Sequence, residues 1–114
     1  TWCRPCIEEI PTIARLSAHY RDQDAFAVVL VSDEDPDVVS RFAQAHGQGL
    51  AFFLVREGFP ASLWEESRPF TVLFDCSGEI VYRRRGAADW SHASVKHVVD
   101  ALLERCSGRS PVAD

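Results

Sequence analysis

The sequence predicts a layered α/β domain, a mixed sheet with helices on both faces. Three observations lead there. Segments with helical apolar spacing alternate with short β-branched and aromatic runs. Two of those runs, Phe26–Val31 and Leu50–Val55, are continuous apolar stretches on either side of a helical segment, the pattern of strands buried on both faces. A third run leads into Asp75-Cys76-Ser77-Gly78, turn residues that send the chain back as an antiparallel hairpin.

Each element has a local reason. From Cys3 to about Asp22, the residues Ile7, Ile10, Ile13, Leu16 and Tyr20 recur at spacings of three and four, which predicts a helix with one apolar face. Pro11 lies within it and cannot donate to the carbonyl of Ile7, so a kink is expected there. Asp35-Pro36 starts a second helix, with the acid at the N-cap and proline at the first helical position. Val38, Val39, Phe42 and Ala43 line its apolar face, and Gly47 ends it. Residues 60–66 have room for one or two helical turns. Phe70–Phe74 and Glu79–Arg84 are the two hairpin strands. The last helix runs from about Ser91 to Cys106, with Val95, Val98, Val99, Leu102 and Leu103 inward. The 114 residues fit one domain over 1–106, followed by a frayed tail over 107–114.

Composition excludes several classes. Apolar residues make up 46%, enough for a core, yet no stretch reaches the ~20 apolar residues of a membrane span. The net charge is −5 and the charges are scattered. Arg83-Arg84-Arg85 is the one basic cluster, and it reads as a solvated strand end rather than a nucleic-acid surface. The chain begins with Thr1 rather than Met, so a signal peptide or membrane anchor could precede it.

Chemistry concentrates at the start, in Thr1-Trp2-Cys3-Arg4-Pro5-Cys6. A zinc site would need four ligands, and neither the other cysteines nor the four histidines have the spacing to complete one. An inert disulfide over so short a loop would restrict the unfolded chain little. Redox chemistry fits better. The thiolate is the attacking species in disulfide exchange, and unpaired N–H groups at a helix N-terminus stabilise a thiolate. Arg4 adds a cation, and Pro5 stiffens the spacer where no N–H is needed. Cys3 is then the attacking thiol and Cys6, one turn deeper, the resolving thiol. Glu9 lies on the cysteine side of the helix, three residues after Cys6. It either shuttles protons, if burial raises its pKa, or is a solvated helix acid. Trp2 shields the thiols and offers an apolar docking surface, or packs in the core.

Trp2-Cys3-Arg4-Pro5-Cys6-Ile7-Glu8-Glu9-Ile10-Pro11 resembles the W-C-x-P-C-x-x-E-x-P motif of the TlpA-like thioredoxin family. These are mostly bacterial, extracytoplasmic thiol–disulfide oxidoreductases, including the reductants of cytochrome c maturation. Pro69–Asp75 with Gly78–Val81 resembles the family's cis-proline strand and hairpin, and Gly86 with Asp89-Trp90 its approach to the final helix. The resemblance spans about residues 2–106. It implies a thioredoxin-like three-layer fold whose first core strand lies upstream of Thr1, so that an N-terminally truncated piece, short of one core strand, is expected. It implies a cis bond before Pro69 that presents the backbone of Arg68 to a substrate strand. Arg68 departs from the small or apolar residue more usual there, and its charge would favour the Cys3 thiolate or select an acidic substrate.

Cys76 in the hairpin turn and Cys106 at the end of the last helix fall at the pole opposite the redox motif. A second disulfide between them is open, though two separate free thiols are the expectation. The resulting reading is an oxidoreductase that reduces or exchanges protein disulfides and is recharged by an upstream dithiol donor. It needs no metal or organic cofactor and works in the periplasm or cell envelope. A cytosolic thioredoxin-like reductase shares this chemistry. A redox-inactive binding module with a fixed disulfide is the rival of a different class, and a peroxidase, which needs another local motif, is the weakest.

Overall fold

The computed structural model describes residues 3–55, 60, 63 and 68–108. In chain order they form α1 (Arg4–His19), β1 (Val29–Ser32), α2 (Pro36–His46), β2 (Ala51–Leu54), β3 (Phe70–Phe74), β4 (Ile80–Arg85) and α3 (Ala93–Gly108). The short helix expected at 60–66 falls largely outside the described residues.

The strands pair as two ribbons. β1 and β2 are parallel, Val29 opposite Ala51 and Ser32 opposite Leu54. β3 and β4 are antiparallel, Phe70 opposite Arg85, with a bulge at Leu73/Phe74. Among the described residues the ribbons are two separate sheets, with no strand of one paired to a strand of the other.

Helix α1 is continuous across Pro11. Its buried residues Cys6, Glu9, Ile10 and Leu16 lie along one face, as the three-and-four spacing requires. The core sits where α1 meets α3: Leu16, Tyr20, Trp90 and Val99 are buried together, with Ile13, Phe26, Val95 and Leu103 around them. A polar bond fastens this seam. Tyr20 Oη donates to Asp100 Oδ1 over 2.6 Å, joining the end of α1 to the middle of α3.

Helix α2 starts as expected, with Asp35 at the N-cap and Pro36 first in the helix, although the Asp35 side chain makes no capping bond. It packs on β2 through Phe42 and Phe52, ring centroids 6.1 Å apart. Gly47 ends α2 for a reason other than a left-handed cap. Its φ is −75°, and a Cβ there would stand 2.5 Å from the Ala43 carbonyl oxygen and 2.9 Å from Phe52 Cε1. The glycine lets β2 pass close to the helix end.

Three expectations are corrected. The strands at 26–31 and 50–55 are not buried on both faces: Val29 and Phe53 are 55% and 53% exposed. Phe52 lies against Phe42 of α2, while Val29, Val31 and Phe53 are exposed. Phe26 is not in β1; its ring stacks at a tilt on Tyr20, 5.0 Å away, so this residue serves the helix seam. Val98 of α3 faces outward, at 48% exposed, while Val99 carries the inward packing.

Candidate functional site: the cysteine turn and its carboxylate

The first turn of α1 holds the two thiol residues. Cys3 is the N-cap, with extended φ and ψ of −71° and 155°. Its Sγ accepts from the backbone N–H of Cys6 over 3.2 Å. That is the N-cap arrangement with sulfur in place of oxygen, and it aims an otherwise unpaired helix N–H at the sulfur. Cys3 and Cys6 are disulfide-bonded, Cα atoms 5.1 Å apart. Cys6 is buried, 5% exposed, and Cys3 is half-buried, so the outer sulfur is the accessible one. Arg4 behaves differently from expectation. Its guanidinium leans along the solvent side of the helix toward Glu8, 3.4 Å away, so part of its charge is directed at that carboxylate.

Glu9 is not a solvated acid. It is 5% exposed, and Oε2 accepts two hydrogen bonds from a segment some 80 residues away: Ala88 N–H at 3.1 Å and Trp90 Nε1–H at 2.5 Å. Burial pushes its pKa up, opposed by the bond from Trp90, the bond from Ala88 and the charge of Arg84. Cys6 and Glu9, three apart on one helix face, have Cβ atoms about 5–6 Å apart.

The segment that grips Glu9 is itself held at several points. Thr12 Oγ1 accepts from Trp90 N–H at 3.0 Å and donates to the Glu9 carbonyl at 2.7 Å. The Arg84 guanidinium donates twice to the Ala87 carbonyl, at 3.0 and 3.3 Å. Asp89 Oδ1 accepts from both the N–H and the hydroxyl of Ser91, which closes the turn into α3 and holds the Asp89 carboxyl below its ordinary pKa. The Trp90 ring is buried and meets Tyr82 of β4 edge-on, centroids 6.4 Å apart. Thr12, Ala88 and Trp90 escaped the sequence reading as site residues. Only the Asp89-Trp90 pair before the last helix gave a signal, and the partnership with Glu9 exists only in three dimensions.

Arg68 and Pro69 open β3, and the bond between them is cis. The Pro69 carbonyl accepts from Gly86 N–H at 2.8 Å, across the mouth of the hairpin. Gly86 is two residues before Ala88, a span of at most about 7 Å, so this mouth lies beside the Glu9 turn of α1. Trp2 falls outside the described residues.

The far end of the hairpin holds the second sulfur pair. Cys76, in the β3–β4 turn, is disulfide-bonded to Cys106 near the end of α3, Cα atoms 5.9 Å apart. The two free thiols expected there are thus one cross-link. The cause is that β3 and α3 both start beside the 86–90 segment and run the same way, which carries both residues to the same pole. Among the described residues no group of histidine, cysteine and acidic side chains is arranged to hold a metal ion, and no helix is long and apolar enough to cross a membrane.

No family model matches the chain. It is 30% identical over 84 residues to the thioredoxin-like protein YneN of Bacillus subtilis strain 168, covering 70% of this chain and 48% of that protein. The chain thus spans about half the length of that curated relative. Among solved structures it superposes, with a TM-score of 0.74 and 20% identity, on a protein assigned as the thiol:disulfide interchange protein DsbE of Chlorobium tepidum, over 90% of this chain and 73% of the other. That superposition shows a thioredoxin-like fold, in agreement with the thioredoxin-like relative and with the cysteine turn at the tip of α1.

Proposed function

We propose that the protein is a thiol–disulfide oxidoreductase acting on protein disulfides. The observation that carries this reading is the Cys3–Cys6 pair at the tip of α1, its outer sulfur receiving a helix N–H and its inner sulfur one turn from a buried carboxylate. In the reduced form Cys3 Sγ is the thiolate, favoured by that N–H and by the positive end of the helix dipole. It attacks one sulfur of a substrate disulfide. The substrate S–S bond breaks, a mixed disulfide forms, and the departing substrate thiolate takes a proton from water. Cys6 then gives its proton to Glu9, attacks Cys3 Sγ and releases the second substrate thiolate. Two electrons have passed to the substrate, and Cys3 and Cys6 are left as the disulfide. A dithiol protein upstream restores the reduced pair.

We assign substrate binding to Arg68 and Pro69, whose cis bond opens the hairpin, and to Trp2, the sequence neighbour of Cys3; the bond from Gly86 to Pro69 beside the Glu9 segment supports this for the first two. An extracytoplasmic setting is supported by the Cys76–Cys106 cross-link, since such bonds persist in oxidising compartments, and by the likeness to the DsbE-assigned structure. The reductants of cytochrome c maturation are the branch of this chemistry that the motif favours.

Trapping tests the reading. The Cys6→Ser variant, incubated with a disulfide-bonded protein substrate, accumulates a mixed disulfide through Cys3. The Cys3→Ser variant does not. Adduct formation only through Cys6 would reverse the two roles, and no adduct with either variant would refute exchange activity.

A further inference from the structure

We propose that Trp90 is a positioning residue for the exchange reaction: its indole N–H, together with the Ala88 N–H, fixes Oε2 of Glu9 so that a proton leaving Cys6 is received on Oε1. This rests on the oxidoreductase reading and assigns a part of its machinery that lies 81 residues from Glu9 in sequence.

Valence and packing fix the arrangement. Both donors converge on the same oxygen, at 2.5 and 3.1 Å, and neither can rotate away. The Ala88 N–H is fixed backbone. The indole is held by burial at 8% exposure, by the edge contact with Tyr82 and by the bond from its own backbone N–H to Thr12. An oxygen that already accepts two N–H groups is a poor seat for a third hydrogen. The other oxygen of the carboxyl is therefore the one that carries the proton. Because the indole donates to the anion, it also opposes the cost of burying that charge, and so sets the fraction of Glu9 ready to accept.

Among the described residues the charged group that acts on Glu9 is the Arg84 guanidinium on β4; Cys6 stands one turn before Glu9 on the same face of α1, and the Asp89 carboxylate, between the two donor residues in sequence, is engaged with Ser91. Of these Cys6 is the proton donor the reaction provides. The balance is simple. The S–H bond of Cys6 breaks, an O–H bond forms at Glu9 Oε1, and the Cys6 sulfur attacks Cys3 and expels the substrate thiolate. Glu9 later returns the proton to that thiolate or to water.

Trp90→Phe removes the N–H and keeps the ring. The rate of mixed-disulfide resolution in this variant should move to higher pH and fall about tenfold near neutrality, the scale of one hydrogen bond to a charged group. In a Glu9→Gln background the same change should have no further effect on the pH profile. Independently of any variant at 90, the indole N–H resonance of Trp90 in the intact protein should titrate with pH at the midpoint seen in the resolution rate. Glu9→Gln should abolish that titration. If Glu9→Gln alters resolution but Trp90→Phe leaves the profile in place, or if the Trp90 resonance is constant across that range, the positioning role is overturned while the oxidoreductase reading stands. If neither Cys6→Ser trapping nor resolution is observed at all, the oxidoreductase reading itself has failed.

Discussion

Tyr20 and Asp100, eighty residues apart, share a 2.6 Å hydrogen bond that joins the end of α1 to α3. The hydroxyl is buried with the tyrosine ring, and Lys96 O lies 3.1 Å from it as a second acceptor. Because Asp100 is exposed and can turn to water, Tyr20→Phe should cost only about 1 kcal/mol, the net worth of one such bond. Denaturant unfolding reads this directly. A loss above about 3 kcal/mol would mean that the bond organises the whole seam.

Burial raises the pKa of Glu9, and that fixes the sign of a pH effect. A carboxyl whose folded pKa lies above its unfolded value contributes most to stability when protonated, below the unfolded pKa. That contribution is lost as pH rises through the folded pKa. Wild-type stability should therefore decline from mildly acidic pH toward neutrality. Glu9→Gln, which keeps an oxygen for the Trp90 and Ala88 donors, should flatten that decline. Equal slopes in the two proteins would show that Glu9 titrates as if exposed.

The disulfide between Cys76 and Cys106 closes a separation of 30 residues. On loop-closure entropy, replacing both with serine should lower stability by about 3–4 kcal/mol. Trapping through Cys3 in the Cys6→Ser protein should persist when this second pair is absent, provided the protein is assayed below its new unfolding midpoint. Mass spectrometry of the trapped species checks this.

Gly47→Ala forces a methyl group against the Ala43 carbonyl oxygen at 2.5 Å. Backbone must shift, and a loss of about 1–3 kcal/mol is expected. Gly78→Ala, by contrast, meets nothing within 4 Å but sits at a φ of +91°, so its loss of about 1 kcal/mol comes from backbone strain alone. Comparing the two unfolding midpoints separates crowding from conformation.

How much of this could be read beforehand depends on whether the cause is local. The hairpin was legible because its turn is written in four consecutive residues: Asp75 Oδ1 takes the N–H groups of Ser77 and Glu79, and Gly78 supplies the positive φ. The cysteine turn was legible for the same reason, since capping by Cys3 and the bond from Cys6 span one helical turn. The fate of Phe26 was not, because an apolar run looks alike whether it enters a sheet or reaches back to Tyr20. Whether Glu9 was wet or buried depended on the 86–92 segment, which no spacing rule connects to α1. The pairing of Cys76 with Cys106 needed the run of β3 and α3 to be known together.

The molecule carries two sulfur cross-links whose loops differ tenfold in separation, 3 against 30 residues. Opening the short one frees little of the unfolded chain's entropy, while opening the long one loosens the tether between hairpin and last helix. Spacing along the chain thus separates their consequences: the short bond can open and close without slackening the body, and the long one acts as a buckle that keeps the body shut.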